Sequence, residues 1–164
     1  MLLVLRDTLA SVSEIQPAAA PDRSALIAEA TKRAGLVWIS VPGRDRPYPA
    51  WHIWRPGTDP ADGAIPPPPG AAYVVTGPGE QPLPGLGSAG QVTVTVPSKD
   101  SGGSLITWTA AVTRVAAGSA EWDAVSGPLA AGRLNASLEP GETSPAQRWA
   151  RTGAVFRLSP VDYL

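Results

Sequence analysis

The chain has no cysteine, one histidine, one phenylalanine and two lysines among its 164 residues. Without cysteine, disulfides, thiolate catalysis and cysteine-based zinc sites are excluded. A single histidine, His52, rules out histidine-rich metal centres, and no tight acidic cluster takes their place, so no metal is expected. No basic run stands out, and a formal net charge of −1 gives no bulk attraction to nucleic acid or to an anionic membrane. No stretch approaches the ~20 apolar residues that a membrane-spanning helix needs. The opening MLLVLRDTLASV is apolar for only five residues before Arg6, with no positive region ahead of them. It reads as a strand or helix turn packed on the domain, or as an upstream extension. The sequence contains no P-loop, no G-x-G-x-x-G after a strand and no G-x-S-x-G elbow. The expectation is a cytoplasmic protein with neither nucleic-acid nor membrane partners.

What is present points to one domain with a real core. We divide the chain into an N-terminal extension, 1–21, and a single domain, 22–164. Eleven arginines against two lysines, with abundant alanine, glycine and proline, suggest a GC-rich bacterial genome. The spacing predicts a helix over Asp22 to Ala34, with Asp22 as cap, Glu29 paired to Arg33, an apolar face of Leu26, Ile27 and Ala30, and a stop at Gly35. Two aromatic-rich runs, Leu36 to Val41 and Ala50 to Trp54, read as paired strands around a turn. Arg55 to Gly70 is a loop with four consecutive prolines, read as a stiff surface connector. Strands follow at Ala72 to Thr76, Gln91 to Val96 and Leu105 to Val115. Val92, Val94 and Val96 share one face. Ser119 caps a second helix, expected to break at Gly127-Pro128 and resume to Leu134. Ser144-Pro145 opens a third, and Ala154 to Leu158 is the last strand. The fold class is α+β, mainly β: a six-stranded, mostly antiparallel sheet curled into a barrel, with about three helices.

This order resembles the FMN-binding split barrel, which includes pyridoxamine 5′-phosphate oxidase-like proteins and F420-dependent reductases. LVWISVPGRDRPYPAWHIW looks like the opening hairpin of that superfamily. AYVVTGPGEQPLPGLGSAGQVTVTVPSKD looks like its third strand, cofactor loop and fourth strand, and ITWTAAVTRV like its fifth strand. The resemblance spans roughly Ser24 to Leu158. It implies a homodimer with a small-molecule ligand, FMN or F420, at the dimer interface, and a flavin- or deazaflavin-dependent oxidoreductase. The implied cofactor-binding residues are Trp51, His52, Trp54, Thr76, Gly77 and Lys99. The chain departs from the pattern in the loop 77–86, which offers Glu80 and Gln81 where the family places positive charge.

Each of these residues also has a plainer reading. Alternation puts Trp51 and Ile53 on one face of their strand and His52 and Trp54 on the other. They are either a stacking wall for a planar ring, with His52 as a donor, or aromatics of the core and dimer interface with a satisfied histidine. Thr76 offers a hydroxyl, Gly77 and Gly79 an anion nest, and Lys99 a substitute cation. Arg44 and Arg46 read as a solvated turn, Trp108 as core, and Trp122 and Trp149 as pins for their helices. Arg133 and Asn135 suit either a ligand clamp or a helix end. No catalytic residue is assigned. Two functions follow: a flavin or deazaflavin oxidoreductase, or a cofactor-free split-barrel binding and interaction module. An OB-like nucleic-acid binder fits poorly, because strand two has aromatics without basic neighbours.

Overall fold

The computed structural model describes residues 22–57, 69–133 and 138–163. The segment 1–21, most of the proline-rich connector, and Asn135 lie outside the described residues. The elements are α1 (Arg23–Arg33), β1 (Val37–Ser40), β2 (Tyr48–Ala50), β3 (Ile53–Pro56), β4 (Gly70–Thr76), β5 (Gln91–Pro97), β6 (Ser104–Val115), α2 (Ala120–Gly132), α3 (Pro145–Thr152) and β7 (Ala154–Pro160). All three helix caps form as the sequence predicts. Asp22, Ser119 and Ser144 accept hydrogen bonds from the backbone N–H groups of Ser24, Trp122 and Ala146. Glu29 pairs with Arg33 at 3.3 Å, one turn on.

The strands form one antiparallel sheet in the order β2-β1-β5-β6-β7-β4-β3. Seven strands stand where six are expected, because the predicted strand Ala50 to Trp54 is two strands. β2 ends at Ala50, pairing Val37, and β3 begins at Ile53, pairing Tyr73. They occupy opposite edges of the sheet, yet only Trp51 and His52 separate them. Three Cα steps span at most about 11 Å, whereas six strand spacings laid flat span roughly 29 Å. The sheet is therefore rolled until its edges meet, and Trp51-His52 is the joint that closes the barrel.

Alternation sorts the side chains onto two cores. Val37, Ile39, Val74, Val92, Val94, Val96, Trp108, Phe156 and Leu158 fill the barrel interior, with Ile27 of α1 over one end. Trp54 meets the fully buried Trp108 edge-on, with centroids 6.2 Å apart at 89°. Such a pair contributes about 0.5–1.5 kcal/mol beyond its buried area. On the outside, Ala71, Tyr73, Val75, Val115 and Val155 lie beneath Trp122, Val125 and Leu129 of α2 and Trp149 of α3. β4 is buried through its first six residues because it serves both cores.

Two helical expectations are corrected. α2 does not break at Gly127-Pro128 but runs through Pro128 to Gly132. The proline removes one backbone hydrogen bond, but Val125 and Leu129, buried on either side of it, hold the helix on the outer core. On α1, Ile27 and Thr31 face the barrel, whereas Leu26 is 47% exposed. Neighbouring helical residues point about 100° apart, and here the barrel takes Ile27 and leaves Leu26 at its edge. Among the described residues, no helix is long and apolar enough to cross a membrane.

Candidate functional site

The closing joint gathers the residues that the sequence singles out, but uses them to hold the barrel. At Trp51 the chain leaves one sheet edge for the other, so its backbone has no strand partner. Gln81, from the loop after β4, supplies both missing bonds. Its Oε1 accepts from the Trp51 N–H at 2.8 Å, and its Nε2 donates to the Trp51 and Val75 carbonyls at 3.0 and 3.2 Å. The Thr76 hydroxyl in turn donates to the Gln81 carbonyl at 2.8 Å. Trp51 packs against the outer core and Trp54 against the inner one. The predicted split of faces is observed, and it keeps these two rings from forming one wall. Both rings are half-buried within the single chain.

His52 enters the inner side. Its Nε2 lies 2.7 Å from the carbonyl oxygen of Thr31, in the last turn of α1. Carbonyls there lack helical partners, so the ring nitrogen donates to one of them. Trp108 Nε1 donates to the Thr31 hydroxyl at 3.1 Å, so two barrel residues fix α1 through Thr31. His52 Nδ1 is buried without a hydrogen-bond partner. Burial holds the ring's pKa below its usual value, opposed by the nearby Thr31 and Ala50 carbonyls, which favour the charged form.

Glu80 points inward and meets no solvent-facing ligand surface. Its side chain is 1% exposed; Oε1 accepts from Trp149 Nε1 at 2.9 Å and lies 3.1 Å from Arg133 Nη1. That last contact is an ion pair outside hydrogen-bond angles, and Arg133 donates instead through Nη2 to the Gly79 carbonyl at 2.9 Å. Arg148, beside Gly79, binds Glu142 at 2.8 Å. The Glu142 carboxyl is held below its usual pKa by the Glu139 N–H, and then by Arg148 and Arg151. The cations expected around this loop are thus present, coming from α2 and α3, and they neutralise the protein's own carboxylates. Gly77 has a φ of 143°, and a Cβ there would lie 2.7 Å from the Gly153 Cα. Glycine is required at this position for the close approach of two backbones.

Lys99 lies apart from all of these residues, on the exposed turn between β5 and β6. It borders a groove of about 480 Å³ between that hairpin and α1. The groove walls are Leu26, Ala30 and Ala34 on one side and Val96, Leu105 and Ile106 on the other. Trp51, His52, Trp54, Thr76 and Gly77 do not line it. Of the six residues that the resemblance implies, Trp51, His52, Trp54, Thr76 and Gly77 build the closing joint and the strand beside it, and Lys99 stands on another surface. Sequence reasoning missed the groove. The sequence carried no clear signal for it, because Leu26 and Ile27 read equally well as one apolar face.

These features define an α+β protein built on a rolled, seven-stranded antiparallel barrel with two helices on its flank and one over its end, the element order that the resemblance implies. No protein-family model matches the chain, and no curated protein matches it in sequence. Among solved structures it is similar to HutZ, the heme storage protein from Vibrio cholerae, with 15% identity, 82% of this chain and 87% of that one covered, and a TM-score of 0.49. It is also similar to a proposed pyridoxamine 5′-phosphate oxidase from Listeria innocua, with 14% identity, 85% and 94% covered, and a TM-score of 0.48. A proposed general stress protein 26 from Jannaschia sp. CCS1 has 16% identity, 86% and 75% covered, and a TM-score of 0.47.

Proposed function

We propose that this chain is a cytoplasmic, homodimeric split barrel that works as a binding and interaction module without a flavin. The observation that carries this reading is the loop 77–86. Its Glu80 is paired internally, its Gln81 holds the barrel joint, and Thr76 before it is already bonded to Gln81. A phosphate dianion brought to that loop would find Arg133 already paired with the buried Glu80 and would have to take it from that carboxylate. Trp38, 36% exposed on the outer face of β1, and Leu105, 62% exposed, favour association with a second copy.

The second reading, an oxidoreductase carrying FMN or F420, has one feature in its favour. Lys99 is exposed beside an apolar groove, and it takes part in no ion pair found among the described residues. An apolar wall with a cation at its rim suits a ring that bears a phosphate.

Titration of the purified protein with FMN, FAD and F420, followed by tryptophan fluorescence, separates the two. Six tryptophans make quenching a sensitive report. We expect no saturable quenching. Saturation by one cofactor at micromolar concentration would overturn the proposal and establish the flavin reading. Sedimentation of the same sample tests the assembly, where the mass of a single chain would remove the dimer.

A further inference from the structure

The turn between β1 and β2 and the segment that leads into β5 enclose a cleft of about 600 Å³. Among the described residues that line it, Arg44 alone is charged. Its neighbours on the turn, Asp45 and Arg46, do not line it. Arg44 is exposed, but its guanidinium has a seat. A Cβ placed on Gly85 would lie 3.1 Å from the Arg44 Nε and 3.3 Å from its Nη2, so the group rests on bare glycine backbone. Gly85 has a φ of 83°, which favours glycine, and any other residue there would press on the guanidinium.

Three polar side chains line the cleft, those of Arg44, Ser88 and Gln91. Among the described residues, none of the three forms a hydrogen bond or an ion pair within the chain. All three can donate: the guanidinium through a planar fork of N–H groups, the serine through its hydroxyl, the glutamine through its amide. The backbone acceptors beside them are already engaged. The carbonyls of Val41, Gly85 and Gly90 accept from the N–H groups of Arg44, Ser88 and Val112. A Cβ on Gly43 or Gly90 would meet nothing within 4 Å, so the cleft is open at both. Its lining thus combines one seated positive charge and two neutral donors, with no carboxylate among the described residues.

We propose that this cleft binds a small oxyanion, a phosphate or a carboxylate, through the Arg44 guanidinium, the Ser88 hydroxyl and the Gln91 amide. An oxyanion can take two parallel N–H bonds from a guanidinium, and these charge-assisted bonds are about twice as strong as neutral ones. The seat on Gly85 lowers the entropy lost when the arginine is fixed by a ligand. The site uses Gly85, at the end of the loop 77–86, and none of the partners of Glu80 and Gln81. It therefore stands whether or not a flavin binds.

The test is a titration of the isotope-labelled full chain with inorganic phosphate, and separately with acetate, at constant ionic strength, read from backbone amide chemical shifts. We expect the amides of Gly85, Ser88 and Gly90 to shift saturably at about millimolar anion, as two or three charge-assisted bonds allow. The anion that saturates at the lower concentration names the source, a phosphate or a carboxylate ligand. Arg44→Gln should weaken that binding roughly ten-fold, whereas Arg46→Gln, on the same turn, should leave it unchanged. Both positions are exposed, so both variants keep the core. Arg44→Lys, which keeps the charge without the fork, should also bind more weakly than the parent. Shifts that rise linearly with both anions would overturn the proposal as adventitious surface contact. Equal weakening in Arg44→Gln and Arg46→Gln would overturn it as a bulk effect of charge.

Discussion

The loop after β4 and the groove beside α1 make opposite uses of their residues. The loop is polar and looks by residue type like a ligand site, yet its polar atoms face inward. Gln81 completes the backbone of Trp51, Glu80 binds Trp149 and Arg133, and Thr76 bonds to Gln81. The groove is built from leucine, alanine, valine and isoleucine, which read as core, yet Leu26 and Leu105 stand open. The lesson is that residue type marks a site only after the fold's own demands are met. A rolled sheet must satisfy the backbone where it closes, and here a glutamine from the nearest loop does so.

The largest effect that would break this comparison is expected at Glu80. Glu80→Ala leaves the Arg133 guanidinium, 13% exposed, and the Trp149 indole N–H without their partner. Removing one member of a buried pair is strongly destabilising, and we expect a loss of about 3 kcal/mol in urea unfolding. A ligand-facing carboxylate would instead cost next to nothing, so an unchanged midpoint would contradict the inward placement. The same variant releases Arg133 from its carboxylate. Its FMN titration therefore asks whether that pairing alone keeps the cofactor away.

Much of the barrel is legible in the sequence, and the parts that are not share a physical cause. Val92, Val94 and Val96 alternate with threonines, and all three are buried. Asp22, Ser119 and Ser144 were readable as caps because a cap acts over two or three residues. The joint at Trp51-His52 was not readable. A strand that passes from one edge of a sheet to the other keeps its alternation, so WHIW looks continuous. What breaks it is the partner on each side, Val37 before and Tyr73 after, and partners belong to the closed barrel. Gln81 and Glu80 escaped for the same reason: their partners lie 30 and 69 positions away in sequence.

A smaller effect sharpens the role of the joint through pH. His52 is held below its usual pKa by burial. Below about pH 6.5 the unfolded chain takes up a proton that the folded ring resists, so the unfolded state binds more protons and stability falls as the solution is acidified. Above pH 6.5 both states are neutral at this residue and the contribution is flat. The slope on the acid side approaches about 1.4 kcal/mol per pH unit until the folded ring titrates. As the chain's only histidine, it can be isolated by difference. His52→Gln keeps an N–H donor for the Thr31 carbonyl and removes the titration. Its urea midpoint is expected to change less between pH 7.5 and 5.5 than that of the parent. Identical pH dependence in the two proteins would mean that the imidazole is not held neutral beneath α1.

The smallest effect tests the other half of the comparison. Lys99 lies in the turn between β5 and β6, exposed, at the groove rim. Exposed substitutions away from caps and buried pairs change stability by no more than about 0.5 kcal/mol, and Lys99→Ala is expected to stay within that range. Lys99 and Glu80 enter the same sequence argument, one as the charge that suits a phosphate and the other as the charge that does not. The fold separates them: one is a structural residue whose loss is felt in urea, and the other a surface residue whose loss is felt only if something binds the groove. A Lys99→Ala loss near that of Glu80→Ala would show that the hairpin turn is part of the fold's internal network, and the contrast between the two regions would then fail.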